Sequence, residues 1–231
     1  MSRRAVFLDR DGTLVHARHY PTRPDELVLH DGVLPPLAAL GAAGVALVMV
    51  TNQSGLARGL FDVAALEAMH VDLGARLAAA GAALDGVYHC PHHPEGTVAA
   101  LALECGCRKP APGMLLQAAA DLDLDLGRSW FVGDILDDVE AGNRAGCRTI
   151  LVDLGTEALP AEPVRTPTHV AATTLDALRL ILAAEGLGPA AGGSYLPPSC
   201  RGVRRLAGAV SGSSGPNEAH VHHEGSTHAA G

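Results

Sequence analysis

The chain reads as an α/β protein built on a doubly wound parallel sheet. Three observations predict this: short apolar runs without polar alternation, helical patterns lying between them, and polar residues at the ends of three of the runs. Uninterrupted apolar strands are buried on both faces, as parallel strands covered by helices are. Open sheets of that kind hold their ligands beyond the carboxyl ends of the strands.

In chain order, Ala5-Val-Phe-Leu8 is the first predicted strand and runs into Asp9. A helical pattern covers Gly32 to Ala43. Val45 to Val50 forms the second strand and runs into Thr51-Asn52. Helical patterns follow from Asp62 to Ala80 and from Gly113 to Leu122. Trp130-Phe-Val132 is a third strand, ending at Gly133-Asp134, and after a helix over Asp137 to Ala145 comes a fourth, Thr149 to Val152. Strand and helix alternate, as a doubly wound sheet requires. One sheet edge should therefore gather Asp9, Thr51 and Asp134.

The length suits one domain of ordinary size, or one domain plus an appendage. Aromatics make up only 3% of the chain, so Ala, Leu and Val must build the core. From about Pro189 the pattern changes: 18 of the last 43 residues are Gly, Pro or Ser, and no apolar period survives. A folded domain over 1–187 and a disordered tail over 188–231 are expected, the tail histidines (His220, His222, His223, His228) being solvated. The net charge of −8 argues against a nucleic-acid partner. It leaves room for an anionic substrate, because a few local cations dominate one pocket. No apolar run reaches the roughly 18 residues of a membrane-spanning helix. Ala5–Leu8 is also too short for the apolar region of a signal peptide. A cytoplasmic monomer with reduced thiols and no membrane partner is expected.

Asp9-Arg-Asp-Gly-Thr13 directly follows the first strand. A carboxylate nucleophile takes a phosphoryl group and passes it to water, dividing one hard step into two easier ones. The departing alcohol needs a proton and the attacking water must lose one; a second carboxyl two residues on serves both. Two anions facing a phosphate need a cation, and Mg²⁺ prefers oxygen ligands. Further along, Thr51-Asn52-Gln53-Ser54 offers a hydroxyl and backbone N–H groups to phosphate oxygens, or simply caps a helix. Lys109 can neutralise phosphoryl charge or lie in solvent. Asp134 adds a third carboxylate, while Asp137 and Asp138 fall in the first turn of a helix, where its dipole alone accounts for them.

Cys90-x-His92 and, twelve residues on, Cys105-x-Cys107 supply three thiolates and an imidazole. That set matches a closed tetrahedral Zn²⁺ site. A closed site has no open position for substrate, so its expected task is to pin a loop.

Asp9-x-Asp11, Thr51, Lys109 and Gly133-Asp134, in that order, resemble the four motifs of the haloacid dehalogenase superfamily of phosphohydrolases over residues 5–155. The resemblance implies a Rossmann-like sheet without a large cap domain. It implies Asp9 as nucleophile, Asp11 as acid/base, and Thr51 and Lys109 as the phosphoryl grip. Mg²⁺ would sit on Asp9, the Asp11 backbone carbonyl and Asp134. The Cys/His loop ahead of Arg108-Lys-Pro110 resembles the subgroup of heptose bisphosphatases and histidinol-phosphate phosphatases, and Cys90-Pro-His-His-Pro94 with its long spacer looks most like the former. That implies a small phosphorylated sugar as substrate. Arg18, His19, Tyr20, Asn52, Gln53, Ser54 and Arg108 would then bind it, an arginine gripping the second phosphate. Ile135 stands where the superfamily often has lysine, so that position keeps a backbone role. A histidinol phosphatase is the second enzymatic reading, and a zinc-stapled binding protein without catalysis is the third.

Overall fold

The computed structural model describes residues 2–158 and 160–188. Cys200, the tail histidines and nearly all of the tail expected over 188–231 lie outside the described residues. Strand β1 (Ala5–Leu8) lies at the centre, flanked by β2 (Ala46–Asn52) and β4 (Trp130–Gly133). β3 (Gly86–Cys90) pairs outside β2, and β5 (Arg148–Val152) and β6 (His169–Ala171) continue beyond β4. All pairings are parallel, in the order β3-β2-β1-β4-β5-β6. The winding reverses between β1 and β4, so the crevice for a ligand opens at the ends of those two strands.

Alternate residues of each strand feed two separate cores. Val6, Leu8, Leu47, Met49, Val132 and Ile150 pack under α1 (Leu34–Ala42), α2 (Val63–Ala79) and α5 (Thr174–Ala184). Ala5, Phe7, Ala46, Val48, Val50 and Phe131 meet α3 (Gly113–Leu122) and α4 (Leu136–Ala145) on the other face. This two-sided burial is why the strands read as unbroken apolar runs. Helix boundaries follow local chemistry. The Asp62 side chain accepts the Ala65 N–H at 2.8 Å to start α2. α4 stops at Gly146, whose φ of +86° suits glycine. Among the described residues no helix is long and apolar enough to cross a membrane.

The expected elements are present, with ends shifted by a residue or two. β3, β6 and α5 are additions that the apolar runs did not announce. β3 and β6 are edge strands with exposed positions (Val87, Val170), so they lack the uninterrupted apolar signature.

Ser129 fastens the start of β1 to the approach of β4. Its buried hydroxyl accepts the Ala5 N–H at 2.8 Å and donates to the Asp125 carbonyl at 2.6 Å. Ser129→Ala leaves both partners without their bond and should destabilise the protein by about 1–3 kcal/mol. Urea denaturation measures this, and an unchanged midpoint counts against the role given to Ser129.

Candidate active site

The end of β1 delivers Asp9 into the crevice, and the end of β4 delivers Asp134. Asp9, Asp134 and Asp138 each present a carboxylate oxygen to a common point, within 4.8 Å of one another. Lys109 enters from the loop after β3 and stands between two of them. Its Nζ lies 2.6 Å from Asp9 Oδ1 and 2.5 Å from Asp138 Oδ1, and donates also to the Val50 carbonyl at 3.3 Å. Lys109 is only 2% exposed and Asp138 only 1%. Burial pulls the ammonium's pKa down, but Asp138 and Asp9 outweigh it and hold the pKa above its ordinary value.

Two glycines make the cluster sterically feasible. Gly12 adopts φ +88°, and a Cβ there would lie 2.2 Å from Asp134 Oδ2. A Cβ on Gly133 would lie 2.2 Å from that of Asp138. Thr13 holds Asp134 with a 3.1 Å hydrogen bond. Burial, reinforced by Asp138, lifts Asp134 to about 6 despite the Thr13 bond and Lys109. Asp9 is lifted to about 8 by burial, with Asp138, Asp134 and Asp11 adding to the rise and Lys109 opposing it. This cluster of three acids and one base is anionic and dry, and its donors are all oxygens.

The second expected carboxylate behaves differently. Asp11 is partly exposed and is gripped by Arg10, at 2.9 Å from Nη2, and by Gln53 Nε2 at 3.0 Å. Gln53 donates also to Thr51 Oγ1 at 2.8 Å and accepts from Arg10 Nη2 at 3.0 Å. The Asn52 side chain exchanges two hydrogen bonds with the Lys109 backbone, at 3.0 and 3.1 Å. Asn52 and Gln53 therefore organise the site from within.

A cavity of about 190 Å³ opens beside Asp11, lined by Arg18, His19, Tyr20, Asn52, Gln53 and Ser54. Tyr20 takes the left-handed φ of +47°, and its hydroxyl lies 3.4 Å from Ser54 Oγ. Arg108 lines a different cavity of about 380 Å³, with Lys109, Asp137 and Arg144. The expected substrate contacts thus fall into two groups.

Cys90, His92, Cys105 and Cys107 converge as the spacing predicts. Their sulfurs are 3.2–3.5 Å apart, and His92 Nδ1 lies 3.4 Å from Cys107 Sγ. Disulfide sulfurs would sit about 2.05 Å apart. A tetrahedron with metal–sulfur bonds of about 2.3 Å has edges of roughly 3.8 Å, close to what is found.

Asp138 is the residue that sequence reasoning misjudged. Its place in the first turn of α4 suggested a dipole effect, yet its carboxylate is buried against Lys109. The available signal was its place: Asp138 is the third residue of a helix that starts two residues after Asp134, so that helix's first turn stays beside the same strand end. Arg10, between the two motif aspartates, was also passed over. Ile135 keeps the backbone role expected of it, its N–H donating to Asp138 Oδ2 at 3.4 Å.

Comparison with known proteins agrees with this geometry. The family model for HAD-hydrolase-like proteins matches residues 106–177. The D-glycero-beta-D-manno-heptose-1,7-bisphosphate 7-phosphatase of Photorhabdus laumondii subsp. laumondii is 41% identical over 173 residues, covering 74% of this chain and 88% of that protein. The chain belongs to the heptose bisphosphate phosphatase family of the haloacid dehalogenase superfamily. It is accordingly a phosphoric monoester hydrolase. Two solved structures extend the match within that superfamily. The D,D-heptose 1,7-bisphosphate phosphatase of B. bronchiseptica, complexed with magnesium and phosphate, has a TM-score of 0.66 and 35% identity, covering 79% of this chain and 99% of that one. A HAD-like phosphatase from Mesorhizobium loti has a TM-score of 0.70 and 39% identity, covering 82% and 90%.

The raised carboxyls set a pH dependence. A group whose folded pKa lies above its unfolded value holds a proton in the folded state that the unfolded chain has lost, so stability falls as pH rises between the two. For Asp9 that window runs from the ordinary 3.8 to about 8. In magnesium-free buffer, the stability of Asp9→Asn relative to the parent should therefore climb across that range. Chemical denaturation at a series of pH values measures the difference, and a flat profile overturns the burial account.

Proposed function

We propose that the chain removes the 7-phosphate of D-glycero-D-manno-heptose 1,7-bisphosphate, through a phosphoryl-aspartate on Asp9. The observation that carries this reading is the buried convergence of Asp9, Lys109, Asp134 and Asp138 at the point where the sheet's winding reverses. The substrate is taken from the names of the relatives, which specify the β anomer.

The Asp9 carboxylate attacks phosphorus, and the bond from phosphorus to the sugar oxygen breaks. Asp11, protonated at that moment, gives its proton to the departing oxygen. Asp11 then takes a proton from water, which attacks the same phosphorus. The bond to Asp9 breaks, and free phosphate and the Asp9 carboxylate result. Lys109, already beside Asp9, and the Thr51 hydroxyl face the charge on the equatorial oxygens. The anionic, all-oxygen donor set fits magnesium, with Asp9, Asp134 and the Asp11 backbone carbonyl to hold it. When bound, that ion supplies charge neutralisation for the phosphoryl oxygens.

Arg18, His19 and Tyr20 line the cavity proposed to seat the sugar, and Arg108, in the cavity that Lys109 also lines, is assigned to the second phosphate. Zinc on Cys90, His92, Cys105 and Cys107 closes the loop that delivers Arg108 and Lys109. The folded domain is assigned to residues 1–187, acting in the cytoplasm as a monomer.

Steady-state rates on heptose 1,7-bisphosphate, in both anomers, and on histidinol phosphate decide the substrate: the β bisphosphate should give the highest kcat/KM, and a preference for histidinol phosphate overturns the assignment. Asp9→Asn should reduce turnover of every ester to below about a thousandth of the parent rate. Substantial activity in that variant removes Asp9 as nucleophile. Elemental analysis of freshly purified protein should find about one zinc per chain. A folded, active sample without zinc refutes the metal loop.

A further inference from the structure

Arg10 has no part in the steps above, yet it is only 1% exposed and fully engaged. Its Nε reaches both oxygens of Asp11, at 3.2 and 3.1 Å, and its Nη2 bonds Asp11 Oδ2 and Gln53 Oε1. The remaining arm, Nη1, points to the other side and lies 3.2 Å from Nε2 of His70. His70 comes from the middle of α2, between the buried Met69 and Leu73, and so belongs to an element remote in sequence from the catalytic loop. An arginine nitrogen only donates, so His70 Nε2 must accept and its proton must sit on Nδ1. Burial, the Arg10 charge and neighbouring His89 hold the His70 pKa down to about 3, which keeps the ring neutral and able to accept. His89, on β3, has its ring centroid 5.8 Å from that of His70.

The two ends of this chain of contacts differ in character. Asp11 is 28% exposed at its side chain and borders the substrate cavity. Its side-chain anchors are Arg10 and Gln53, and Gln53 is itself bonded to Arg10. The orientation of Asp11 therefore follows that of the guanidinium. A buried guanidinium arm without an acceptor costs free energy, so a side chain that lost His70 would turn to find one. We propose that His70 is a positioning residue which, through Arg10, holds the Asp11 carboxyl in the direction required for proton transfer to the leaving group. This rests on the reading of Asp11 as acid/base.

The alternative is that His70 merely satisfies a buried arginine and contributes stability alone. Two substitutions separate the two roles. His70→Leu fills the space and removes the acceptor, whereas His70→Gln keeps an oxygen that can accept from Nη1. Two esters report on proton transfer. The alcohol of a sugar phosphate needs a proton to leave; the p-nitrophenolate of an aryl phosphate leaves without one. His70→Leu should lower kcat/KM on the sugar phosphate by about tenfold, a fraction of what a general acid supplies, with far less loss on p-nitrophenyl phosphate. His70→Gln should restore most of it. Equal losses on both esters, no loss in His70→Leu, or equal losses in the Leu and Gln variants each overturn the proposal. Asp11→Asn is measured alongside: if it retains sugar-phosphate turnover, the acid/base assignment falls. If it is inactive while His70→Leu matches the parent, only the positioning role falls.

Discussion

The Lys109 ammonium, buried between the carboxylates of Asp9 and Asp138, is the contact on which the rest of the site depends. A buried charge is tolerated only when paired, and here one cation faces two carboxyl groups. The surrounding backbone is fitted to that arrangement. Gly133 leaves room for Asp138, Gly12 leaves room for Asp134, and Asn52 clasps the backbone of Lys109 from the end of β2. The remaining excess of negative charge suits a divalent cation with oxygen ligands.

Two carboxylates two residues apart are thereby given different environments. Asp9 is dry and faces Lys109; Asp11 borders a cavity and is gripped by Arg10. That contrast fits the separate tasks proposed for them, nucleophile and proton carrier. The alternation of side chains about the backbone sends Arg10, the residue between them, to neither position but into the packing against α2. A single pentapeptide thus contributes a buried carboxyl, a partly exposed one and the arginine that grips the latter.

The central part of the sheet was legible because its strands are buried on both faces. Ala5–Leu8 and Trp130–Val132 can hardly be read otherwise. The edge strands β3 and β6 were not, since exposure on one side erases the apolar run. In the site, residues at or just past strand ends (Asp9, Thr51, Asp134) were found by position, and the Cys/His quartet by spacing. Asp138 was hidden because an acidic residue in a helix's first turn has an ordinary explanation, and only the fold shows the carboxylate turned inward to Lys109. His70 was invisible for another reason. A histidine in the middle of an amphipathic helix carries no local signal, and its partner lies sixty residues away. Asn52 and Gln53 were assigned to substrate because they follow Thr51; both line the cavity beside Asp11, and their side chains also bond to the protein.

The Cys/His loop has a consequence for how this architecture tolerates change. Lys109 follows Cys107 by two residues, so once a metal joins Cys107 to Cys90, the lysine's reach is set by β3 and the metal. The course of the intervening chain no longer matters to it. Cross-linking a loop of about 15 residues withdraws about 3 kcal/mol of conformational freedom from the unfolded chain. A change of length between His93 and Glu104 then alters the loop-closure entropy only logarithmically, and what it costs beyond that lies in the contacts of Thr97 and Val98 with Ala57 and of Leu101 with the core. The knot of sulfurs works as an insulator: it stands between the segment from His93 to Glu104 and the buried ammonium of Lys109.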